Sequence, residues 1–528
     1  MLRRYLIFAL LPAMAALLLT ACDPFGNAGL LSVSADAGMV TLHENESVRI
    51  PFSVDEPGFK FDLEKDVVLY LAESIMPYPH EFQITGVEQG DGAGDYIATI
   101  SDLGISRIYS EKVMIGVRAK EGNFVFSEKF TCRGDLAGTH GVSIDTGLPT
   151  LYLDTEGSMP ISSKTNFVVG SMIVRGTDGS VSPEPMECQV RGRGNTTWTW
   201  PKKPYLVKFE KKQSLFGMPA HKRWVLLANF MDRTMMRNIV AMKVSSMTRL
   251  DWTPRCQSVE LVLNGRHMGN YLLIEQVRVD KDRVPAGDDG WLLESDFHYD
   301  NEVQWIDPHG QCVQRRDGIP FGVKYPDSDE ITPAQKVAIK QYVSDVAVSV
   351  YGSNFRDSET GYAKYIDVDS FIDYWLVFEV MGNHELGNPG SVFYHKTATG
   401  KLIAGPCWDF DWGVLSFRYN PQAQYGLLNL NACWYSRLFQ DPAFRAKAKA
   451  RFEELLPQLQ TIPSYIDAVE RQLKASAELN FAMWNPAQDA SQNGGQIING
   501  DENLDFHAAV VRLKANYQTR LNVIKANL

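Results

Sequence analysis

The sequence predicts an α+β protein in which a β-sandwich domain precedes a second domain that begins with strands and ends with helices. Residues 31–135 contain short alternating apolar runs separated by Gly, Asp and Pro clusters, with no long helical pattern. Strand patterns dominate residues 149–325, whereas helical periodicity dominates from residue 332 onward. A chain of 528 residues is also too long for one hydrophobic core, which predicts two or three domains.

The predicted N-terminal domain is Ig-like, with short strands at Val48–Phe52, Phe82–Ile84, Tyr96–Ile100 and Val113–Val117. No cluster of chemically reactive residues stands out in it. We therefore expect a spacer or recognition module.

The second predicted domain covers residues 149–528. Its strand-rich part contains one helical stretch near 234–247. Its helix-rich part has apolar residues at helical spacing, and residues 485–503 form a polar, glycine-containing loop. The helices are expected at 334–351, 368–381, 442–456, 466–479 and from about 506 to the end.

The N-terminus predicts export. Arg3 and Arg4 precede an apolar run and then Leu19-Thr20-Ala21-Cys22, so residues 1–22 have the pattern of a removed secretory signal. The cysteine at the cleavage point looks like a bacterial lipoprotein box, which implies a lipid on Cys22 and a tether at 23–30. The alternative is an ordinary signal with a chance cysteine. We therefore expect an exported protein that is lipid-anchored to a bacterial membrane. The expected membrane is the outer one, with the protein on its periplasmic or cell-surface face.

Composition excludes some classes of function. The formal net charge of −11 argues against general nucleic-acid binding. Six cysteines follow Cys22 and are spread singly without a CxxC pair, which excludes a zinc ribbon. Six cysteines allow 15 pairings, so the sequence cannot choose a disulfide. We expect mostly buried thiols.

The most informative motif is Trp408-Asp409-Phe410-Asp411-Trp412. Its two acids follow a strand-like run at 402–407 that contains a Gly-Pro turn. Carboxylates at a strand end can bind Mg²⁺ or Mn²⁺, which prefer oxygen ligands. A DxD pair alone is weak support for a metal site, and it gains weight from the basic segment upstream.

That basic segment covers residues 191–237 and holds eleven Lys and Arg against two acids, a local charge of +9. It begins with Arg191-Gly192-Arg193-Gly194-Asn195, whose glycines would let the backbone approach a phosphate. Strand alternation places Lys208 on the same face as Leu206. A lysine on an apolar face needs a partner, either a phosphate or a carboxylate such as Glu275.

Five segments resemble the spore-coat protein H (CotH) kinase family in content and order. They are RGRGNTTW, KKPYLVKF, LFGMPAHKRWVLLANFMDRTMMRN, VELVLNGRHMGNYLLIEQVRVDKDRV and GPCWDFDW, and the resemblance covers roughly residues 149–450. It implies an atypical protein-kinase-like, bilobed fold. It also implies transfer of the γ-phosphoryl group of ATP to Ser or Thr of an exported acceptor protein, with Mg²⁺ or Mn²⁺.

The resemblance also implies roles for individual residues. Asp409 would take the place of the metal-binding aspartate, and the turn formed by Arg191, Gly192, Arg193, Gly194 and Asn195 would cover the phosphates. Lys208 would be the strand lysine that contacts them, with Arg193 neutralising phosphate oxygens. Glu275 and Gln276 would lie near the adenine-binding hinge.

The sequence departs from the family pattern in the catalytic loop. The family commonly has Asn-x-Asp there, and this chain has Asn383-His384-Glu385, 24 residues before Asp409. Glu385 would therefore orient the acceptor hydroxyl, although it is one methylene longer and positioning dominates phosphoryl transfer. Asp411 adds a carboxylate beside Asp409, and Asn383 or Asn388 would complete the metal shell. His384 is expected to be a solvent-exposed loop residue.

Two alternatives remain at this point. The chain could be a kinase-like surface scaffold for adhesion or glycan association, which a lipid anchor and a β-sandwich fit equally well. Glycosyl transfer through the DxD pair is a third hypothesis, although no Rossmann pattern precedes the motif. A haloacid-type phosphatase is discarded, because Gly413 stands where that class needs Thr or Val.

Overall fold

The computed structural model describes residues 31–35, 37–43, 47–56, 59–72, 76–77, 82–102, 109–119, 122–135, 144–298, 301–312, 317–484 and 499–528. The chain divides into two compact units, Met1–Val142 and Ser143–Leu528. The mixed α+β class is confirmed. The predicted signal, Cys22, the tether and most of the polar loop at 485–503 lie outside the described residues. Within the described residues, no helix is both long and apolar enough to cross a membrane.

The first unit consists of two β-sheets. One has the strand order β1-β3-β7-β6, and the other has β2-β10-β8-β4-β5 with β9 paired to β8. Alternate residues of β3 are buried, among them Ile50, Phe52 and Val54, because successive side chains of a strand point to opposite faces. The four strand runs expected from the sequence fall within β3, β6, β7 and β8. The strands are β1 (Val33–Ala35), β2 (Met39–His43), β3 (Ser47–Val54), β4 (Val67–Leu71), β5 (Met76–Pro77), β6 (Phe82–Gln89), β7 (Asp95–Asp102), β8 (Tyr109–Arg118), β9 (Phe124–Phe126) and β10 (Phe130–Asp135).

The second unit begins with a closed barrel of strand order β11-β12-β13-β14-β15-β17-β16. The parallel pairing of β11 with β16 closes it, and its other pairings are antiparallel. Val207, Trp224 and Leu273 pack in one core cluster inside it, whereas Leu206 and Val225 face outward and join the helices. The strands are β11 (Thr150–Thr155), β12 (Val168–Arg175), β13 (Met186–Gly192), β14 (Tyr205–Gln213), β15 (His221–Leu227), β16 (Cys256–Leu263) and β17 (Arg266–Glu275).

A five-stranded sheet and seven α-helices complete the described part of the second unit. The sheet order is β19-β20-β18-β21-β22. Its strands are β18 (Trp291–Ser295), β19 (Gln304–Asp307), β20 (Ile319–Tyr325), β21 (Val392–Lys396) and β22 (Ile403–Ala404). The helices are α1 (Arg237–Ser245), α2 (Pro333–Tyr351), α3 (Val368–Val380), α4 (Tyr435–Leu438), α5 (Pro442–Leu459), α6 (Ile462–Met483) and α7 (Phe506–Asn527).

Local signals explain why the predicted helices are confirmed. At α2, the Thr332 side chain accepts from the backbone N–H of Gln335, and the Gln335 side chain accepts from the Thr332 N–H in return. This reciprocal capping box and Pro333 in the first turn start the helix where the apolar periodicity begins. Every residue of α3 from Ser370 to Val380 is buried, so this helix is the centre of the large core.

A buried lysine joins the barrel to α6. Lys202 is 1% exposed, and its Nζ donates to the Asn270 carbonyl and, at 2.7 Å, to Asn480 Oδ1. Its Nζ also lies 4.5 Å from the centroid of the Tyr271 ring. Burial lowers the pKa of Lys202 to about 7, because the partners that bind the ammonium directly are neutral and the Glu260 charge opposes the shift only in part.

Replacing Lys202 by methionine should therefore change how the stability of the chain depends on pH. Between pH 7 and about pH 10 the unfolded chain binds more protons at this lysine than the folded chain, so its contribution to the free energy of unfolding rises with pH, by at most about 1.4 kcal/mol per pH unit. Thermal unfolding across this range should show the wild type gaining stability relative to Lys202→Met. Lys211→Met, at an exposed strand position, is the control. Parallel curves for wild type and Lys202→Met would contradict the prediction.

Candidate functional site

The acidic motif lies in the loop that follows β22, and the protein binds its backbone on both sides. Asp409 has a left-handed backbone with φ of 64°. The N–H of Phe410 donates to Asn238 Oδ1 at 2.8 Å, and Asn499 Nδ2 donates to the Asp411 carbonyl at 3.0 Å. These contacts fix the main chain of the motif and use neither of its carboxyl groups.

A buried ion network supports the same loop from α1. Arg237 is 1% exposed, and its Nε donates to the Val414 carbonyl at 2.8 Å. Its guanidinium also pairs with Asp232 and, at 2.9 Å, with Asp501. Because a buried charge is tolerated only when it is paired, this arginine fixes how the first turn of α1 meets the acidic loop.

Three further acidic side chains, from two other segments of the chain, interact with the motif or with one another. Glu294 ends β18, Asp296 follows it, and Glu385 lies in the loop after α3. The charge of Glu294 acts on Asp409, and the charges of Asp409, Asp411 and Asp296 act on Glu385. Each of these five carboxyl groups thus interacts electrostatically with at least one other.

One arginine places a positive charge next to these acids. The guanidinium of Arg193 lies 5.5 Å from the centroid of the Trp408 ring and interacts with Asp409, Asp411 and Glu294. Burial lowers the pKa of Arg193, and the acids oppose that shift. The fold thus brings Arg193 into electrostatic interaction with Asp409, although the two are more than 200 residues apart in the chain.

Burial and mutual repulsion raise the pKa values of the acids. The pKa of Asp411 is raised to about 8, first by burial and then by the charges of Asp409 and Asp232. Burial and the Asp409 charge hold the pKa of Glu385 well above its usual range, and burial also raises the pKa values of Asp409 and Asp296. A cation among these groups would relieve the repulsion and favour their ionised forms.

The donor chemistry fits a hard divalent cation. The groups around the motif are carboxylate and amide oxygens, the ligands that Mg²⁺ and Mn²⁺ prefer. Asn388 is buried, and its Oδ1 has no hydrogen-bond partner among the described residues. Among those residues, no three His, Cys, Asp or Glu side chains already stand close enough together to hold a metal.

The loop that carries Glu385 is held by amide hydrogen bonds. Asn383 Oδ1 accepts from the Glu385 N–H at 2.9 Å, and the Asn383 carbonyl accepts from Asn429 Nδ2 at 2.8 Å. Asn383 thus shapes the loop, which leaves Asn388 as the better candidate for the metal shell. The expectation that His384 is solvent-exposed is wrong, because it is half-buried beside Tyr419, with ring centroids 5.3 Å apart.

The glycine turn has a different basis from the one expected. A Cβ on Gly192 would lie 2.2 Å from the Trp198 ring, and Gly194 has φ of +83°. The N–H groups of Gly192 and Arg193 donate to the carbonyls of Ser163 and Pro204. These glycines therefore serve packing and backbone conformation, and those two amides are not free to cradle a phosphate.

The first and last residues of the turn also have protein partners. Arg191 donates to the Lys164 carbonyl, and its guanidinium lies 5.1 Å from the centroid of the Phe167 ring. Asn195 precedes the 3₁₀-helix Thr196–Thr199 and accepts from Lys164 Nζ at 3.3 Å. Of the five residues, Arg193 is the one whose side chain reaches the acidic cluster.

The basic segment does not form a single anion-binding wall. Lys202 and Arg237 are buried in the networks described above, and Lys212 pairs with Asp280 at 3.0 Å. Lys208 does share the outer barrel face with Leu206, as predicted, and the strand register places it directly opposite Arg223. Arg191 lies on the same face of β13, so a smaller cationic face of three side chains remains.

Glu275 does not partner Lys208. It is fully buried, and its carboxylate accepts from the backbone N–H and the guanidinium of Arg255, with Arg283 Nε at 3.9 Å. The strand register places Glu275 opposite Trp224, whose ring lies inside the barrel, and therefore on the other face from Lys208. The Gln276 carbonyl accepts from Arg283 Nη1 at 2.7 Å. Both predicted hinge residues thus already have protein partners.

Several residues of the site were missed in the sequence. Glu294 and Asp296 end a strand with one residue between them, which is the same acid-x-acid spacing as Asp409 and Asp411 and could have been noticed. Asn238 and Asn499 carry no such signal. They are ordinary polar residues in the sequence, and only the fold brings them to the motif.

Comparison with known proteins gives one extended match. A family model described as CotH kinase protein matches residues 190–525. No curated protein matches the chain. Among solved structures, the chain is similar to one titled "Marsupial T cell receptor", at 11% identity and a TM-score of 0.16, covering 34% of this chain and 92% of that one.

Proposed function

This chain belongs to the CotH kinase protein family, and on that premise we propose that it transfers the γ-phosphoryl group of ATP to Ser or Thr hydroxyls of exported proteins. The observation that carries the proposal is a set of electrostatically interacting acids, of which Asp409, Asp411 and Glu294 also interact with Arg193. Glu385 joins the set through the charges of Asp409, Asp411 and Asp296. Phosphoryl transfer needs positioned charges and little covalent chemistry, and this cluster supplies positioned charges of both signs.

Asp409 and Asp411 would hold Mg²⁺ or Mn²⁺, with the Asn388 oxygen as a further ligand. When bound, the ion supplies positive charge to the phosphate oxygens. Their raised pKa values support this assignment, since an added cation would lower the cost of ionising neighbouring buried carboxyls. Glu294 and Asp296 would lie behind the residues that bind the ion and would not bind it themselves. Lys324 Nζ is already paired with Glu294 at 3.0 Å.

Cationic side chains of the barrel would neutralise the negative charge of the phosphates. Arg193 interacts with both Asp409 and Asp411, and Lys208 and Arg223 lie on the outer barrel face. A polyphosphate would lie between this cationic face and the ion, which places opposite charges on its two sides. Glu275 is bound by Arg255 and would contribute to the hinge only through its position in the fold.

Glu385 would accept the hydrogen bond of the acceptor hydroxyl and orient it for attack. Its pKa is raised by burial and by the Asp409 charge, so the carboxylate form depends on positive charge nearby. In this role it binds and positions the substrate hydroxyl, and its extra methylene moves the carboxylate without removing it.

Glu385→Gln should lower the turnover number by about 10²–10⁴-fold, because the amide cannot accept the hydroxyl proton. The KM for ATP should change little, since Glu385 is assigned to the acceptor. Glu385→Asp should keep activity within about tenfold, because a carboxylate remains. Steady-state rates for these variants, with Glu359→Gln at an exposed position as the control, check the prediction. Equal losses in Gln and Asp variants would contradict a base role and favour a packing role.

The proposal itself is tested with labelled nucleotide. The purified chain is incubated with a Ser-rich acceptor, Mn²⁺ or Mg²⁺, and ATP labelled at either the γ or the α phosphate. Transfer of γ label alone supports phosphoryl transfer. Transfer of α label would instead show nucleotidyl transfer, and no transfer of either label would overturn the proposed activity.

The runner-up is a kinase-like surface scaffold without transfer activity. Two observations favour it, namely Glu385 in place of the family's usual aspartate and the amides of Gly192 and Arg193 that already have partners. Compartments outside the cell also hold little ATP. Metal-dependent stabilisation by ATP in a thermal-shift assay, together with no label transfer, would support this alternative.

The remaining expectations belong to the same proposal. A lipid on Cys22 would anchor the chain to a bacterial membrane, and metabolic labelling with a radioactive fatty acid, lost in Cys22→Ser, tests it. The two sheets of the first unit would pack as a β-sandwich, which contacts of β1 with β8 and of β2 with β7 support. The barrel and the helix-rich part would be the two lobes of a kinase-like domain.

A further inference from the structure

We propose that Cys312 and Cys433 form a disulfide bond. The two Sγ atoms lie 3.1 Å apart although the residues are 121 positions apart in the chain. Both side chains are buried. Among the described cysteines, this pair alone has its thiols in contact, and Cys132, Cys188, Cys256 and Cys407 are each free without a thiol neighbour.

The backbone around the pair holds the two cysteines together. Tyr351, at the end of α2, donates from its hydroxyl to the Cys433 carbonyl at 3.2 Å. The backbone of Gly310 packs against the same tyrosine, because a Cβ there would lie 2.5 Å from its hydroxyl. The segments that carry the two sulfurs thus both contact the Tyr351 side chain. A disulfide would require the two sulfurs to move only slightly closer together.

Cys433 itself is held in a costly conformation. Its φ of 42° is left-handed, a region that Gly and Asn adopt more easily than cysteine. The thiol is buried in the core, where it contacts the thiol of Cys312. A position that favours glycine but carries a buried cysteine against a second cysteine is best explained by a bond between them.

The chemistry is a thiol–disulfide exchange with an external low-molecular-weight or protein disulfide. Both S–H bonds break, one S–S bond forms between Cys312 and Cys433, and two protons and two electrons pass to the external disulfide, which becomes two thiols. Because both thiols are buried in the folded chain, the exchange would take place during folding or local opening.

The bond would tie the support of the Glu385 loop to the five-stranded sheet. Cys433 follows Asn429 by four residues, and Asn429 holds the Asn383 carbonyl. Cys312 follows β19, the edge strand of the sheet that contains Glu294. This consequence for the site rests on the proposed function, whereas the bond itself does not.

Peptide mapping tests the bond without an activity assay. The full chain is unfolded, refolded in the presence of glutathione disulfide, alkylated under denaturing conditions and digested without reduction. The expected product is one cross-linked peptide pair containing Cys312 and Cys433, which disappears with dithiothreitol. Alkylation of both cysteines, a glutathione adduct on either one, or a cross-link to another cysteine would overturn the proposal.

Thermal unfolding gives a second readout. Reductant should lower the midpoint of oxidised wild type by about 5 °C, since a bond across so long a loop restricts the unfolded chain strongly. The double variant Cys312→Ser with Cys433→Ser should not respond to reductant, while Cys256→Ser, the control, should respond as wild type does. Equal response of the double variant would overturn the proposal. If the double variant fails to fold, the wild-type peptide map decides.

Discussion

Replacing Asp409 by asparagine should reduce metal-dependent phosphoryl transfer at least about 10³-fold, because the amide cannot supply the negative charge that holds the cation on the phosphates. Asparagine is the informative substitute. Asp409 has a left-handed backbone, and asparagine tolerates that region nearly as well as aspartate. The variant therefore removes the charge while the loop keeps its conformation.

Folding and binding controls separate this loss from a structural defect. The unliganded Asp409→Asn chain should unfold at about the same temperature as wild type, since the change removes the attraction to Arg193 together with the repulsion from Glu294 and Glu385. Asp411→Asn, two positions further on, should lower the activity about tenfold if Asp409 is the principal ligand. An Asp409→Asn variant that keeps more than a tenth of wild-type activity would contradict the assignment of Asp409 as a metal ligand.

Replacing Arg520 by methionine should destabilise the second unit by about 3–5 kcal/mol, because it leaves the Glu379 carboxylate buried without its cation. Arg520 is fully buried in α7, and its Nη2 donates to Glu379 Oε1 at 2.6 Å. Its other groups donate to the carbonyls of Glu379, Ala423 and Gly426.

The same ion pair is connected to the loop that carries Glu385. Glu379 Oε2 accepts from the Asn429 N–H and from its Nδ2, each at 3.0 Å, and Asn429 Nδ2 also donates to the Asn383 carbonyl. Denaturant unfolding of the full chain measures the loss, with Arg471→Met, at an exposed position of α6, as the matched control. The double variant Arg520→Met with Glu379→Gln should recover part of the stability, because no unpaired charge remains. Wild-type stability in the single variant would show that the pair is not needed.

The sequence predicted helices and strands well, because the signals for them are local. Thr332, Pro333 and Gln335 start a helix through contacts within one turn, and alternation alone placed Lys208 beside Leu206 on the outer barrel face. The DxD motif and Arg193 were likewise found as candidates from residue type and spacing, and the structure brings them together.

What could not be predicted depends on which residues the fold brings into contact. Lys202 and Lys208 look alike in the sequence, yet one is buried against Asn480 from α6 and the other lies on a half-buried strand face. Glu275 looked available, but Arg255 and Arg283 surround it. In each case a partner from a distant element determines the environment of the side chain, and the local sequence does not indicate that partner.

The position of Arg520 has a consequence for the order in which the chain is completed during synthesis. Helix α7 is the last described element, and its arginine neutralises a carboxylate in α3 that emerges some 140 residues earlier. Until that helix arrives, Glu379 stays an uncompensated charge at the centre of the core, and the loop carrying Glu385 lacks its final support. The loop that carries Glu385 would therefore reach its final arrangement only when the last turns of α7 have formed.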